Sequence, residues 1–343
     1  MEYLSEKDER KLAYFFKRYS PGLHAAVKER LNKMFHDNAG NHVPLVYMCP
    51  LCLKNKISVF EETTRSDDEF DVDHFPPKSA GGTESVFVCK TCNSSAGHEF
   101  DYSIKLWLKY QGFAAGVPNT KIPATVKLED VKGNYKGNLV MGEGKKWALD
   151  EYERYPLLKE RMEAMLGGKD VISSWRFEEP DLKIVSRAIL KAAYLNCFSA
   201  WGYDFAYTAT GHRLRQIIIG AEVHPLSNSG IFYHMDDRLP PDGICLVLEP
   251  KHLQSFMVNL KLTDKDTGYQ CGVSVLIPSG YNEWEQIQNY QSVITQPNFE
   301  HKAIKVPEKS LTDENVFPFT CFWENRMNIK IHEQPATGSV RGL

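Results

Sequence analysis

The chain has 343 residues, 42% apolar and 25% charged, with 41 Lys+Arg against 44 Asp+Glu. That is the composition of an ordinary globular protein, with length for about two domains, and it excludes a low-complexity chain. A net charge of −3 offers a polyanion no bulk attraction, so nucleic-acid binding would have to rest on locally concentrated positive charge. No apolar run approaches the roughly 20 residues a membrane span needs. The charged stretch from Met1 to Arg10 has no secretory apolar core, so a cytoplasmic protein without a membrane partner is expected.

In chain order, Ser5 can cap a helix over 5–19, with Glu6, Asp8 and Glu9 favourably placed in its first turn. Pro21 opens a second helix over 21–37. Residues 43–52 read as a strand entering a tight turn, 56–61 as a short strand, 70–75 as a strand, and 86–88 as another. Pro76, Pro77, Gly81 and Gly82 break the chain between the last two. A helix starts near Asn93 and carries the apolar Ile104, Leu106, Trp107 and Leu108. After a break over 112–118, residues 125–128 and 137–140 flank Gly133-Asn134 as a hairpin. Helices are expected over 151–165, 182–201 and 205–219, then strands over 244–248, 256–262 and 270–277.

Four of the eight cysteines form two Cys-x2-Cys pairs, Cys49/Cys52 and Cys89/Cys92, separated by 36 residues. Two such knuckles supply four thiolates, the ligand set of a closed tetrahedral structural zinc site. Such a site has no open position and serves the fold. Cys197, Cys245, Cys271 and Cys321 lie in apolar surroundings and read as small core residues.

Between the knuckles lies Asp71-Val72-Asp73-His74-Phe75-Pro76-Pro77-Lys78, followed by Gly81-Gly82, and after the second knuckle comes Asn93-Ser94-Ser95-Ala96-Gly97-His98. Over about residues 43–108 this order resembles the HNH endonucleases of the ββα-metal superfamily, in the variant set in a four-cysteine zinc frame. The resemblance implies that His74 is the general base acting on the attacking water. It implies that Asp73 and Asn93 hold the catalytic divalent ion, and that Pro76 and Pro77 form the turn after the first strand. One position departs: the Asn that orients the base in the family would fall near Ser85, beside Glu84.

The chemistry is coherent on its own terms. Phosphodiester hydrolysis needs a proton acceptor, which histidine supplies near pH 7, and a cation for the developing charge. A hard ion such as Mg2+ or Mn2+ prefers the oxygens of Asp73 and the Asn93 amide. In an extended strand Asp73 and His74 face opposite ways, so sharing one site requires a bend. His98 lies five residues beyond Asn93, about 140° around a helix, and should not share its face.

Residues 1–110 carry 15 Lys+Arg against 16 Asp+Glu, so phosphate contacts must come from particular residues. Lys78 and Lys90 flank the proposed site. Lys183, Arg187 and Lys191 recur at i, i+4 and i+8 on a predicted helix, as one basic stripe. The aromatic tract Trp201–Tyr207 reads as helix-junction core.

The expectation is therefore an α+β protein. A helical lead-in and a zinc-framed ββα-metal (HNH) nuclease module occupy 1–117. An α-rich middle and a β-rich C-terminal region over 118–343 engage substrate or regulate, with a softer boundary near 223–230. The expected activity is endonucleolytic cleavage of nucleic acid, double-stranded DNA foremost, with structural Zn2+ and catalytic Mg2+ or Mn2+. The resemblance implies 5′-phosphate and 3′-hydroxyl products, and the family's bacterial members include restriction and phage-defence nucleases. Two rivals are a catalytically silent zinc module binding nucleic acid or protein, and a nuclease acting on RNA. A protein partner or homo-oligomer stays open.

Overall fold

A computed structural model describes residues 46–54, 56–58, 70–83, 85–128, 134–150, 154–167, 173–221, 230–234, 242–249, 255–278 and 302–305. The helices expected over 5–19 and 21–37, and Cys321, lie outside them. Strands β1 (Val46–Met48) and β2 (Lys56–Ser58) pair antiparallel across the first Cys-x2-Cys turn. Leu53 closes that turn at φ 51°, its N–H donating to the Cys49 carbonyl at 2.9 Å.

Strands β3 (Phe70–His74) and β4 (Ser85–Cys89) form an antiparallel hairpin, with Phe70 opposite Cys89 and His74 opposite Ser85. Its connection runs through a cis Phe75–Pro76 bond and a 3-10 turn, Lys78–Ala80. A side chain at Gly82 would lie 1.7 Å from the Pro76 carbonyl oxygen, so only glycine lets the two limbs of this loop meet.

Helix α1 (Lys90–Ala115) follows without a linker, three residues earlier than expected. Cys89 serves as its N-cap residue in extended conformation, which places both cysteines of the second pair at the helix start. Strands β5 (Lys121–Leu128), β6 (Tyr135–Met141), β7 (Trp147–Asp150) and, after α2 (Pro156–Leu166), β8 (Ser173–Phe177) make an antiparallel sheet ordered β7-β6-β5-β8. Pro156 opens α2, where its missing N–H has no intrahelical partner to lose.

Helix α3 (Leu182–Ala206) is N-capped by Asp181, whose carboxylate accepts from the N–H groups of Lys183 and Ile184. It kinks at Gly202 before α4 (Ala209–Ile218). The remaining strands, β9 (Ile231–His234), β10 (Gly243–Glu249), β11 (Ser255–Thr263), β12 (Gln270–Pro278) and β13 (Lys302–Lys305), build a five-stranded antiparallel sheet ordered β13-β10-β11-β12-β9. Among the described residues no helix is long and apolar enough to cross a membrane.

One core runs from the knuckle through the hairpin, α1, α3 and α4 to the five-stranded sheet, while β5–β8 builds two small cores of its own. Helix α3 lies at its centre, packed on α1, α4 and the five-stranded sheet. Its aromatic end behaves as the sequence suggested: Trp201, Tyr203 and Phe205 are buried, with Trp201 against Phe256 at 4.6 Å between ring centroids. Burial also pushes the thiols of Cys245 and Cys271 up to about 11 and about 12, as expected of cysteines packed as core residues.

Tyrosines from this core clamp the knuckle. Tyr203 donates to the Met48 carbonyl at 2.6 Å and accepts from the Met48 N–H at 2.7 Å, while Tyr194 donates to the Pro50 carbonyl at 2.6 Å. From the other side, Tyr47 donates to the Phe87 carbonyl of β4 at 2.7 Å. Each bond is worth about 1 kcal/mol net, and an abandoned buried partner adds to the loss. Tyr203→Phe should therefore cost about 2–3 kcal/mol. Urea denaturation checks this, and a midpoint equal to wild type would mean the clamp carries no energy.

Candidate functional site

The four cysteines of the two pairs converge. Their sulfurs all lie within 4.8 Å of one another, with Cys49 and Cys89 buried and Cys52 and Cys92 partly exposed. Cys52 Sγ and Cys89 Sγ are 3.9 Å apart. Metal–sulfur bonds of about 2.3 Å in a tetrahedron put sulfurs about 3.8 Å apart, so the spacing suits a bound ion. The Lys54 N–H donates to Cys52 Sγ at 3.4 Å, and the second pair brackets the first turn of α1, with Cys89 at its N-cap.

Without a cation the cluster resists ionisation. Burial pushes the Cys49 thiol well up, helped by contacts with the other three cysteines. At Cys92 the contact with Cys49 pulls down, but hydrogen bonding to Cys52 and burial outweigh it and hold the thiol high. Four crowded sulfurs that ionise only at high cost become favourable ligands once a dication offsets their charge. The cluster could hold a metal such as zinc, and among the described residues no other trio of His, Cys, Asp or Glu is placed to do so.

The ββα segment joined to this cluster arranges the other expected residues. His74 is the last residue of β3, partly buried, directly opposite Ser85 at the start of β4. The register is regular through Asp73 and His74, and the turn comes after His74, so the two stay on opposite faces of the strand. Asn93 sits in the first turn of α1 and donates through Nδ2 to Asp71 Oδ2 at 3.3 Å. Asp71 is exposed and shares a strand face with Asp73.

Asp73 has a different partner. It is only 8% exposed, and its Oδ2 lies 2.5 Å from Lys191 Nζ on α3, an ammonium equally enclosed and 6.0 Å from the Phe100 ring centroid. The residues expected to share a hard ion, Asp73 and Asn93, are thus engaged separately: Lys191 meets the Asp73 carboxylate, and the Asn93 amide nitrogen donates to Asp71. The pair that the fold brings together at the surface is Asp71 with Asn93.

The basic stripe on α3 is corrected. Lys183 is exposed beside the helix N-terminus, but Arg187 turns inward. Its Nε and Nη2 donate to the Ile218 carbonyl at 3.2 and 2.8 Å, at the C-terminal end of α4, and its guanidinium lies over Phe100. Lys191 is buried on Asp73. The reason is positional: α3 is packed on several sides, so residues at i, i+4 and i+8 drift from solvent into the core. Lys78 and Lys90 remain exposed at the two ends of the β3–β4 hairpin. The side chain of His98 lies outside the described residues.

Sequence reasoning missed the role of Lys191 as the partner of Asp73, and the pairing of Asp71 with Asn93. A signal existed for the first: between Arg187 and Asp204, Lys191 is the one charged residue in a long apolar helix, the usual mark of a buried and paired charge. Comparison with protein-family models, with curated proteins and with solved structures finds no match to this chain.

Proposed function

We propose that the segment from β1 to α1 is a zinc-framed ββα module of HNH type that hydrolyses phosphodiester bonds in nucleic acid, double-stranded DNA foremost. The observation that carries this reading is the sequence of structures itself: knuckle, antiparallel hairpin, then a helix whose first turn returns to the knuckle through Cys89 and Cys92. Zinc on Cys49, Cys52, Cys89 and Cys92 would bind the hairpin to the helix and leave chemistry to other groups.

In this reading His74, at the end of β3 where the chain turns toward β4, takes the proton from the attacking water. Ser85 lies opposite, within reach of a side-chain contact across the strands, and stands where the family orients the ring with Asn. Lys78 and Lys90, exposed on either side, contact phosphates. A divalent ion such as Mg2+ or Mn2+ would supply positive charge for the oxyanion developing at phosphorus. Asp71, exposed beside Asn93 but on the strand face away from His74, is better placed to meet such an ion than Asp73, whose charge Lys191 already meets. A setting in restriction or phage defence follows from the resemblance alone.

The Asp73–Lys191 pair favours a second reading, a catalytically silent zinc module that binds nucleic acid or protein. Incubation with plasmid DNA, single-stranded DNA and RNA, with Mg2+ or Mn2+ supplied or withheld, separates the two. The nuclease reading expects ion-dependent cleavage of duplex DNA. Cleavage of RNA alone would move the substrate, and no cleavage of any of the three would leave the silent module.

A further inference from the structure

The four-stranded sheet β7-β6-β5-β8 has two unlike faces. Ile122, Ala124 and Val126 of β5, with Leu139 and Met141 of β6 and Leu149 of β7, point inward and are buried. Strand alternation sends Lys121, Thr125 and Lys127 of β5, Lys136 and Asn138 of β6, Asp150 of β7, and Ser174 and Arg176 of β8 to the other face. Lys121, Lys127, Lys136, Ser174 and Arg176 are exposed there.

The register aligns these residues across the strands. Thr125 lies between Lys136 on one side and Arg176 on the other, and Lys127 lies opposite Ser174. Two strand spacings separate Lys136 from Arg176, about 10 Å, with Lys127 about 7 Å along β5 from Thr125. Lys121 is paired with Asp150 at 2.7 Å, while Lys127, Lys136 and Arg176 form no ion pair among the described residues. Glu178, just beyond β8, is held by Tyr102 of α1, whose hydroxyl donates to it at 2.6 Å.

A solvated sheet face ordinarily alternates signs, because opposite charges across strands are favourable and like charges are not. This face instead gathers four cations against one acid, in a chain whose net charge is −3. The structure turns Arg187 and Lys191 inward and leaves this face as a cationic surface, with hydroxyls and an amide among the charges.

We propose that this outer sheet face, through Lys127, Lys136 and Arg176, binds the phosphate backbone of nucleic acid. Thr125 and Ser174 supply neutral donors to phosphate oxygens, and contacts of this kind set position and affinity without reading sequence. The site is separate from the cysteine cluster and does not depend on the hydrolytic reading. A nucleic-acid-binding protein without catalysis would use it in the same way.

The test is fluorescence anisotropy of the full chain with labelled duplex and single-stranded DNA over a salt series, with no divalent ion added and no cleavage to measure. The triple variant Lys127→Gln/Lys136→Gln/Arg176→Gln should lose affinity by at least about tenfold. Its slope of log affinity against log salt should flatten by about 2.7 on duplex DNA, nearly one for each phosphate that no longer meets a cation. Asp150→Asn, which removes the carboxylate paired with Lys121, should tighten binding. All of these variants should melt as wild type does, because the altered side chains face solvent. The proposal is overturned if the wild type shows no salt-dependent binding or if the triple variant keeps its affinity and slope. It is also overturned if replacing Lys54, Lys261 and Lys265, exposed off this face, causes an equal loss. Loss of binding to phosphatidylserine vesicles with unchanged DNA binding would overturn it in favour of a membrane surface.

Discussion

Replacing Cys49 or Cys89 by serine is expected to abolish metal binding and unfold the module from β1 to α1. Both residues are buried, and both belong to the core that the knuckle shares with α3 and the five-stranded sheet. Structural zinc on cysteine and histidine ligands contributes on the order of 10–16 kcal/mol in small peptides. A whole domain is stable by only about 5–15 kcal/mol, so losing a quarter of the ligand set exceeds what the remaining core can absorb. The consequence should reach beyond the knuckle, because Tyr203 and Tyr194 hold its backbone from α3 and would lose their partners. Metal analysis and thermal melting check this together. Wild-type protein should carry one zinc per chain, and the serine variants should carry none and aggregate or melt far lower. Serine variants that melt as wild type would show that the cluster is four packed thiols.

Lys191→Met should be nearly as damaging, for an electrostatic reason. It leaves the Asp73 carboxylate enclosed without its cation, a change that costs about 3–5 kcal/mol when one partner of a buried pair is removed. The methionine chain fills much the same volume as the lysine stem, so the loss reports charge more than packing. The double variant Lys191→Met/Asp73→Asn should recover much of that loss, since it removes the unpaired charge as well. Urea denaturation of the two single variants and the double gives the coupling directly. Additive effects, with no recovery in the double, would mean that the 2.5 Å contact between Lys191 and Asp73 is absent in solution.

The sequence was most legible where chemistry constrains spacing. Two Cys-x2-Cys pairs at this separation have few structural solutions, and the Pro and Gly residues between β3 and β4 marked a turn that the Pro76–Gly82 approach now explains. Three strands of the five-stranded sheet, β10, β11 and β12, were readable because their β-branched runs are long. Strands β7 and β8 were not, since four or five residues carry too little periodicity and each lies at an edge of its sheet.

The misreading of α3 has a definite origin. Helical spacing tells which residues share a stripe, but only tertiary packing tells whether the stripe meets water. Arg187 and Lys191 meet the α4 C-terminal end and Asp73 instead. The link between Asn93 and Asp71 was likewise hidden, because it joins residues 22 apart through the geometry of a hairpin feeding a helix.

The most direct test of the central claim is the rate of Mg2+- or Mn2+-dependent cleavage of supercoiled plasmid by wild-type protein and by His74→Ala, at matched zinc content. His74 is partly exposed at the end of β3, outside the cysteine cluster, so the substitution should leave zinc and melting temperature unchanged. The account predicts ion-dependent cleavage by the wild type and a fall of roughly 10²–10⁴ in the variant. Equal rates for the two proteins, or no cleavage by the wild type with either ion, would contradict it.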